Sequence, residues 1–470
     1  MIHIRWILSI LGMYSCALLF MYRAGISVAI VYMTRSESST ATMIIVDDDD
    51  DLDRRANRTV SYHDSDSKKI FAGNFNWNQS KQGTILASSF YLYWCTPTLI
   101  GALTDRYGGQ WFAFAGVFGP AILSAIIPIT TEWYQEYSLI IIQILVGAFH
   151  GFTYPALFAI YSKWFLPEER CRANSFMMVG NAIGCAVMYQ LAGYLCTISS
   201  IRWHLVFYVM AILHLPWLIL WLWFASEYPI HNKRISQIEL EHITRGICVR
   251  AKKNIPTPWA SILTSKVVWA SVICKMCCAF GFFLLLNKMT SYFAMVFDLN
   301  IRQNGTISAL VMAAFGLTSF LSPYIIDSLV NWLQIDSLMS KKISQTLAMA
   351  GPAMCMLAVP QFLSDSNIIF GLIIGSMFLH GFFASGEWTI VSEYTRNFSG
   401  PIVGFVHSLA FLMGVVAPMM VGWILESPLT GDTIEEKWNL IFYITTSIYL
   451  IGNVVFLIFG TDQQQEWDKV

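Results

Sequence analysis

Charge is what this sequence has least of. Only 13% of its 470 residues are charged, against about 25% in an ordinary soluble domain. The net charge is −1, which leaves no basic surface for nucleic acid. Cysteine is present but unorganised, at positions 16, 95, 171, 185, 196, 248, 274, 277, 278 and 355, mostly inside apolar runs. That scatter excludes a disulfide framework, and no His/Cys spacing suits zinc, so no metal is expected. Cys274, Cys277 and Cys278 share one apolar helix and read as small packing residues. No ATP-binding loop or nucleophile triad appears, so neither an enzyme nor a cofactor is expected. A cleavable leader is not expected either: the first apolar run, 7–33, is too long for one and carries Arg23.

Apolar and aromatic residues are what is there. The chain is 56% hydrophobic, with 17 Trp and 20 Tyr and a mean hydropathy of +0.54. Such rings suit membrane interfaces better than a soluble core. A helix needs about 20 apolar residues to cross the hydrocarbon. Runs that meet this are 7–33, 83–103, 111–129, 138–161, 174–196, 204–225, 267–293, 305–330, 344–362, 367–390, 402–425 and 438–460. The expected fold is therefore an all-α membrane protein of twelve transmembrane helices in two six-helix halves, 1–225 and 267–470. A hydrophilic central loop, 226–266, joins the halves, and a long loop, 34–80, follows the first span.

Twelve spans put both termini on one side. With the termini cytosolic, the inside loops hold Arg5, Arg106, Lys163, Arg170, Arg172, Lys341, Lys342 and Arg396, and the central loop adds seven more Lys and Arg. The short outside loops hold only Arg202, Arg302 and Lys437, as the positive-inside rule requires. The sequons at Asn57, Asn78 and Asn304 then face outside and are expected to carry glycans, whereas that at Asn397 falls inside. The acidic run 47–51 reads as a solvated segment of the outer loop.

The halves repeat. Gly83-Thr84-Ile85 opens span two and Gly305-Thr306-Ile307 opens span eight, and each leads to an acid at the inner end, Asp105 and Asp327. A parallel repeat of six helices is a transporter design with its site between the halves. Gly101, Asp105, Arg106, Gly108 and Gly109 join spans two and three. This resembles the loop signature of the major facilitator superfamily. Gly101 would admit a close helix, Asp105 cap a helix, and Arg106 pair across the halves, together gating the inner end. The bland alternative is a charged loop.

Other stretches resemble one branch of that superfamily, the anion/cation symporters that include sialin, the vesicular glutamate transporters and the sodium–phosphate cotransporters. They are the Arg23-centred opening through Met33, the run Gly151, Thr153, Tyr154, Pro155 and Ala156 with Lys163, Trp164 and Arg170 after it, Pro256, Pro258 and Trp259 in the central loop, and the tail from Trp438 to Trp467. The resemblance implies the major facilitator fold and symport of an anion with H+ or Na+, in a plasma or lysosomal/vesicular membrane, by a monomer. It also has gaps. The branch's span-four arginine and acid read Gln143 and His150 here, an arginine of span seven reads Cys278, and its Asn-His-x-Asp stretch reads Ile390 to Glu393.

An ionisable side chain inside the hydrocarbon costs about 2.5–3.5 kcal/mol and so calls for a partner or a job. Arg23 lies roughly 24 Å along span one at ~1.5 Å per residue. Its planar fork suits a carboxylate or phosphate, and with the family match it is a candidate substrate ligand. The alternative is a structural pair with a carboxylate such as Glu387. His150, beside Gly147 and Gly151, is either a proton carrier or a neutral hydrogen-bonded residue. Glu387 is either a coupling acid or a partner for Lys275. Tyr91, Tyr93 and Tyr154 offer hydroxyls for a polar cavity, with Tyr91 and Tyr154 taken as substrate ligands, though interface or packing aromatics are the readier explanation. The expected function is secondary active transport of a small anion. A transporter-fold receptor, or a carrier of a neutral or cationic solute using Glu387 as counter-charge, stays open.

Overall fold

The computed structural model describes residues 3–34, 75–198, 203–246, 258–363, 365–395, 398–428 and 433–468. Its helices follow the apolar runs. Span one is Ile4–Met33, span five Pro167–Ile198, span six Trp203–Phe224, span seven Lys266–Phe297, span eight Ile301–Leu333, span nine Ser337–Ala358 and span twelve Ile434–Phe459. Ten helices among the described residues are long and apolar enough to cross a membrane. One of them, Gln110–Trp164, is two crossings, spans three and four, folded back at Gln135, whose φ is +48°. Span two escapes that measure because it is broken into Gln79–Ser88 and Thr96–Tyr107. Twelve crossings result. Span ten is broken too, at Gly381–Ser385 between Ser366–His380 and Glu387–Tyr394, and span eleven bends between Ser399–Phe411 and Met413–Glu426.

Helix ends at the face that carries the termini are capped by buried or half-buried acids. Glu239, in the central loop's helix Gln237–Gly246, accepts from the backbone N–H of Ile4 and Arg5 at 3.0 and 3.1 Å. It thereby satisfies span one's first turn and its positive dipole end. Arg5 reaches on to Glu169 at 3.0 Å, tying span one to the start of span five. Glu227 accepts from the N–H of Gln110 at 2.9 Å and pairs with Lys163. In the C-terminal half Asp468, fully buried, accepts from the N–H of Phe398 at 3.1 Å. Loops and tail thus pin the helices at this face.

The halves meet mainly toward the opposite face. Span one joins span seven where the Ser27 hydroxyl lies 3.0 Å from that of Thr290, and Thr290 donates to Ser27 O. Span five meets span eight at Gly193 and Gly305, where backbones nearly touch. Span two meets span eleven at Gly83, where a Cβ would sit 2.6 Å from Pro418 O. Small residues let these helices approach, as membrane packing requires.

A candidate anion site around Arg23

Arg23 is 2% exposed in the middle of the bundle. The Phe90 and Tyr93 ring centroids lie 4.4 and 4.3 Å from its guanidinium carbon, that of Phe20 5.2 Å and that of Phe283 5.9 Å. Three rings come from the N-terminal half and Phe283 from span seven of the other half. None of the arginine's three nitrogens has a hydrogen-bond partner among the described residues, and neither does the Tyr93 hydroxyl. Each ring contributes about 0.5–2 kcal/mol of cation–π attraction, but it satisfies no N–H, and each unmet buried donor costs about 1–3 kcal/mol. The collar holds the cation while leaving its fork free to take an acceptor.

The break in span two builds this collar. The Ser88 and Ser89 hydroxyls turn back onto Ile85 O and Leu86 O, competing with the helical ladder. The chain then runs in three-residue turns, with Phe90 N–H donating to Ala87 O and Cys95 N–H to Leu92 O. Pro97, in the first turn of Thr96–Tyr107, has no N–H to carry the ladder back across the break, and Phe90 and Tyr93 are carried round to Arg23. Span four makes room. A Cβ on Gly147 would sit 1.9 Å from Ser89 O, and one on Gly151 1.7 Å from Thr96 Oγ1. The helix that Gly147 and Gly151 admit is therefore the broken one.

Other candidates fall around this centre. His150, 2% exposed, packs edge-on against Tyr22 at 5.4 Å. Tyr154 donates to Asn181 Oδ1 at 2.9 Å. Gln143, four residues from Gly147, is fully buried with both amide atoms unpartnered. Tyr91, one position off the buried face, turns its hydroxyl to Met419 of span eleven at 3.9 Å. Tyr93 is the tyrosine that faces Arg23. Period and neighbours could have told them apart, since Phe90 and Tyr93 share a face at a spacing of about one turn.

Glu387 does not meet Arg23. It sits at the break of span ten, 1% exposed, and pairs with Lys275 of span seven at 2.9 Å. Its N–H donates to Gln345, and its second oxygen has no partner among the described residues. Cys278 lies 3.8 Å from His380 Nε2, and the other nitrogen of His380 lies 3.3 Å from the Tyr449 hydroxyl. His380 and Lys288 were not singled out from the sequence. Lys288, fully buried with its amine unpartnered among the described residues, would have emerged from a census of every charge within 267–293.

The loop between spans two and three differs from its expected geometry. The Asp105 side chain lies outside the described ones. Among the described residues no atom comes within 4 Å of a Cβ built on Gly101, so none of their helices packs there. Arg106 is exposed and lies over Tyr107, its guanidinium 5.4 Å from the ring, rather than crossing to the other half. Gly108 has φ +90° and Gly109 abuts Ala156 O, so these two glycines make the tight turn. Among the sequons, Asn57 and Asn397 lie outside the described residues. Asn78 is exposed and caps the next helix through Lys81 N–H. Asn304 is 3% exposed and its amide donates to Thr290 O at 2.8 Å.

The model of the Major Facilitator Superfamily matches residues 10–418. The chain belongs to that superfamily. It is thus an integral, multi-pass membrane protein of a family of transporters, not of enzymes. Human sialin is 27% identical across 98% of this chain and 90% of its own length. A putative inorganic phosphate cotransporter of Drosophila ananassae is 26% identical across 96% and 91%. A bacterial homologue of the human lysosomal transporter Spinster, solved inward-facing and unoccupied, superposes with a TM-score of 0.69 over 98% of this chain and 99% of its own. At 11% identity that likeness concerns the fold.

Proposed function

We propose that this chain is a secondary active transporter that binds a small organic or inorganic anion at Arg23 and moves it by alternating access, coupled to H+ or Na+. The observation that carries the reading is the guanidinium held by rings with every N–H unpartnered. The names of its relatives, sialin and a phosphate cotransporter, support an anionic cargo. Glu387, already engaged by Lys275, is poorly placed to serve as counter-charge for a cationic solute. Tyr154 and His150 stand on the span-four side of the path, with His150 and Glu387 as the candidate coupling groups. In the same reading both termini are cytosolic, the membrane is the plasma membrane or a lysosomal or vesicular one, and the monomer is the working unit. Gly101, Asp105 and Arg106 gate the cytosolic end, and the open space at Gly101 and the exposure of Arg106 fit a state closed on the outer side. Uptake of labelled anions by proteoliposomes, with and without a pH or Na+ gradient, tests it. Gradient-driven uptake of at least one anion is expected, and none from a broad panel would refute it.

A further inference from the structure

Resting on that reading, we infer that the site selects a monovalent carboxylate with a flat, apolar body, its charge taken jointly by Arg23 and Tyr93 and its body by the collar rings. The first argument is charge. Four charged side chains lie buried in the middle of the described spans: Arg23, Lys275, Lys288 and Glu387. Lys275 is neutralised by Glu387 at 2.9 Å. Lys288 stands on the far side of span seven from the site. Phe283 faces Arg23, and Asn287 and Thr290 meet span one through Ser27. Tyr292, one turn beyond Lys288 on its own face, packs instead on Trp438 and Phe442 of span twelve.

One uncompensated cation therefore serves the site, and Gln143 and Cys278 are neutral. A monoanion balances that cation. A phosphate group, with about 1.5–2 negative charges near pH 7, or a dicarboxylate would bury a surplus charge that the fixed residues leave unbalanced, at a cost of several kcal/mol unless the coupling cation enters beside it.

The second argument is lining. The Tyr93 hydroxyl is buried without a partner and its ring lies 4.3 Å from the guanidinium carbon. One carboxylate can accept from the arginine fork and from this phenol together. Phe20, Phe90 and Phe283 offer π faces and edges but no hydrogen bonds. An apolar body leaves no polar group of its own unsatisfied against them, whereas a polyhydroxylated body would lose its hydration without replacement. Phe283 belongs to the other half, so a cargo lodged against it touches both halves at once.

The test uses purified protein in proteoliposomes and radiolabelled benzoate, phosphate, succinate and gluconate in turn, each with the four unlabelled anions as competitors. Uptake abolished by Arg23→Ala and inhibited by benzoate at least ten-fold better than by the other three is expected. Tyr93→Phe keeps the ring and removes the hydroxyl. It should lower the apparent affinity for benzoate about ten-fold or more while leaving the melting temperature in detergent unchanged. Arg23-dependent uptake that phosphate or succinate inhibits best would overturn the valence assignment and leave the anion reading standing. Preference for gluconate would overturn the apolar-body assignment, and unchanged affinity in Tyr93→Phe would remove Tyr93 from the site. Absence of Arg23-dependent uptake for all four would remove the anion reading along with this inference.

Discussion

At the scale of single residues, two buried basic groups have opposite fates. Lys275 is satisfied by Glu387, while Arg23 is held by rings and keeps its donors free. Removing one member of a buried pair strands the other at about 3–5 kcal/mol. Lys275→Met should therefore sharply lower expression, and adding Glu387→Met should restore it. Surface labelling of the two single variants and the double variant checks this, and a well-expressed Lys275→Met would contradict it. Arg23→Lys keeps a charge but loses the planar fork, so it should raise the KM for the anion while expression holds. A side-chain census read from sequence finds Arg23, His150 and Glu387 as buried polar groups. It cannot say which acid meets which base, because Lys275 and Arg23 come from different halves and only the packing brings Lys275 to Glu387.

At the scale of elements, the decisive feature is an interruption. Apolar length makes twelve runs legible, since hydrocarbon thickness sets span length. It does not show that span two breaks over 89–95, where Ser88, Ser89 and Pro97 are weak local signals inside an otherwise apolar run. The close packing of Gly147 was legible as a spacing, yet its partner was not. Gly147→Ala would drive a Cβ into Ser89 O and should abolish folded, surface-labelled protein. Gly101→Ala meets nothing within 4 Å and should fold normally. Equal expression of the two would show that the glycine contacts have been misassigned.

Outside the spans, Glu136 accepts from Lys81 at 2.6 Å and from the Trp77 indole at 3.2 Å. The bond from Lys81 holds the Glu136 carboxyl below its ordinary value of 4.5. A depressed acid contributes stability that is complete above that value and is lost as pH falls through its folded value. This tie between span two and the turn after span three should thus persist in a mildly acidic compartment. The melting temperature of wild-type protein relative to Glu136→Gln should stay constant from pH 7 to about 5 and converge only below about 4.5. Convergence already at pH 6 would argue against the pairing.

At the scale of the whole molecule, closure toward the face opposite the termini rests on hydrogen bonds between halves, chiefly Ser27 with Thr290 at 3.0 Å. If the halves part there during transport, a covalent link will stop the cycle. Ser27→Cys with Thr290→Cys should form a disulfide under mild oxidation, block uptake and regain it with a thiol reductant. Uptake unaffected by a verified cross-link would mean this contact does not open. The loop after span two belongs to the other end of the same cycle. Asp105→Asn should slow maximal uptake more than it alters KM, because a gate biases conformations rather than touching cargo.

The central claim is that the partner of Arg23 is the cargo and not a carboxylate of the protein. Surface expression and labelled-anion uptake, measured together for Arg23→Ala and for Arg23→Ala combined with Glu387→Ala, test it most directly. The account predicts that Arg23→Ala is made and folded at the wild-type level but transports nothing. Adding Glu387→Ala should lower expression by stranding Lys275. Collapse of the single variant with rescue in the double would contradict the account, because it would make Arg23 the structural partner of Glu387.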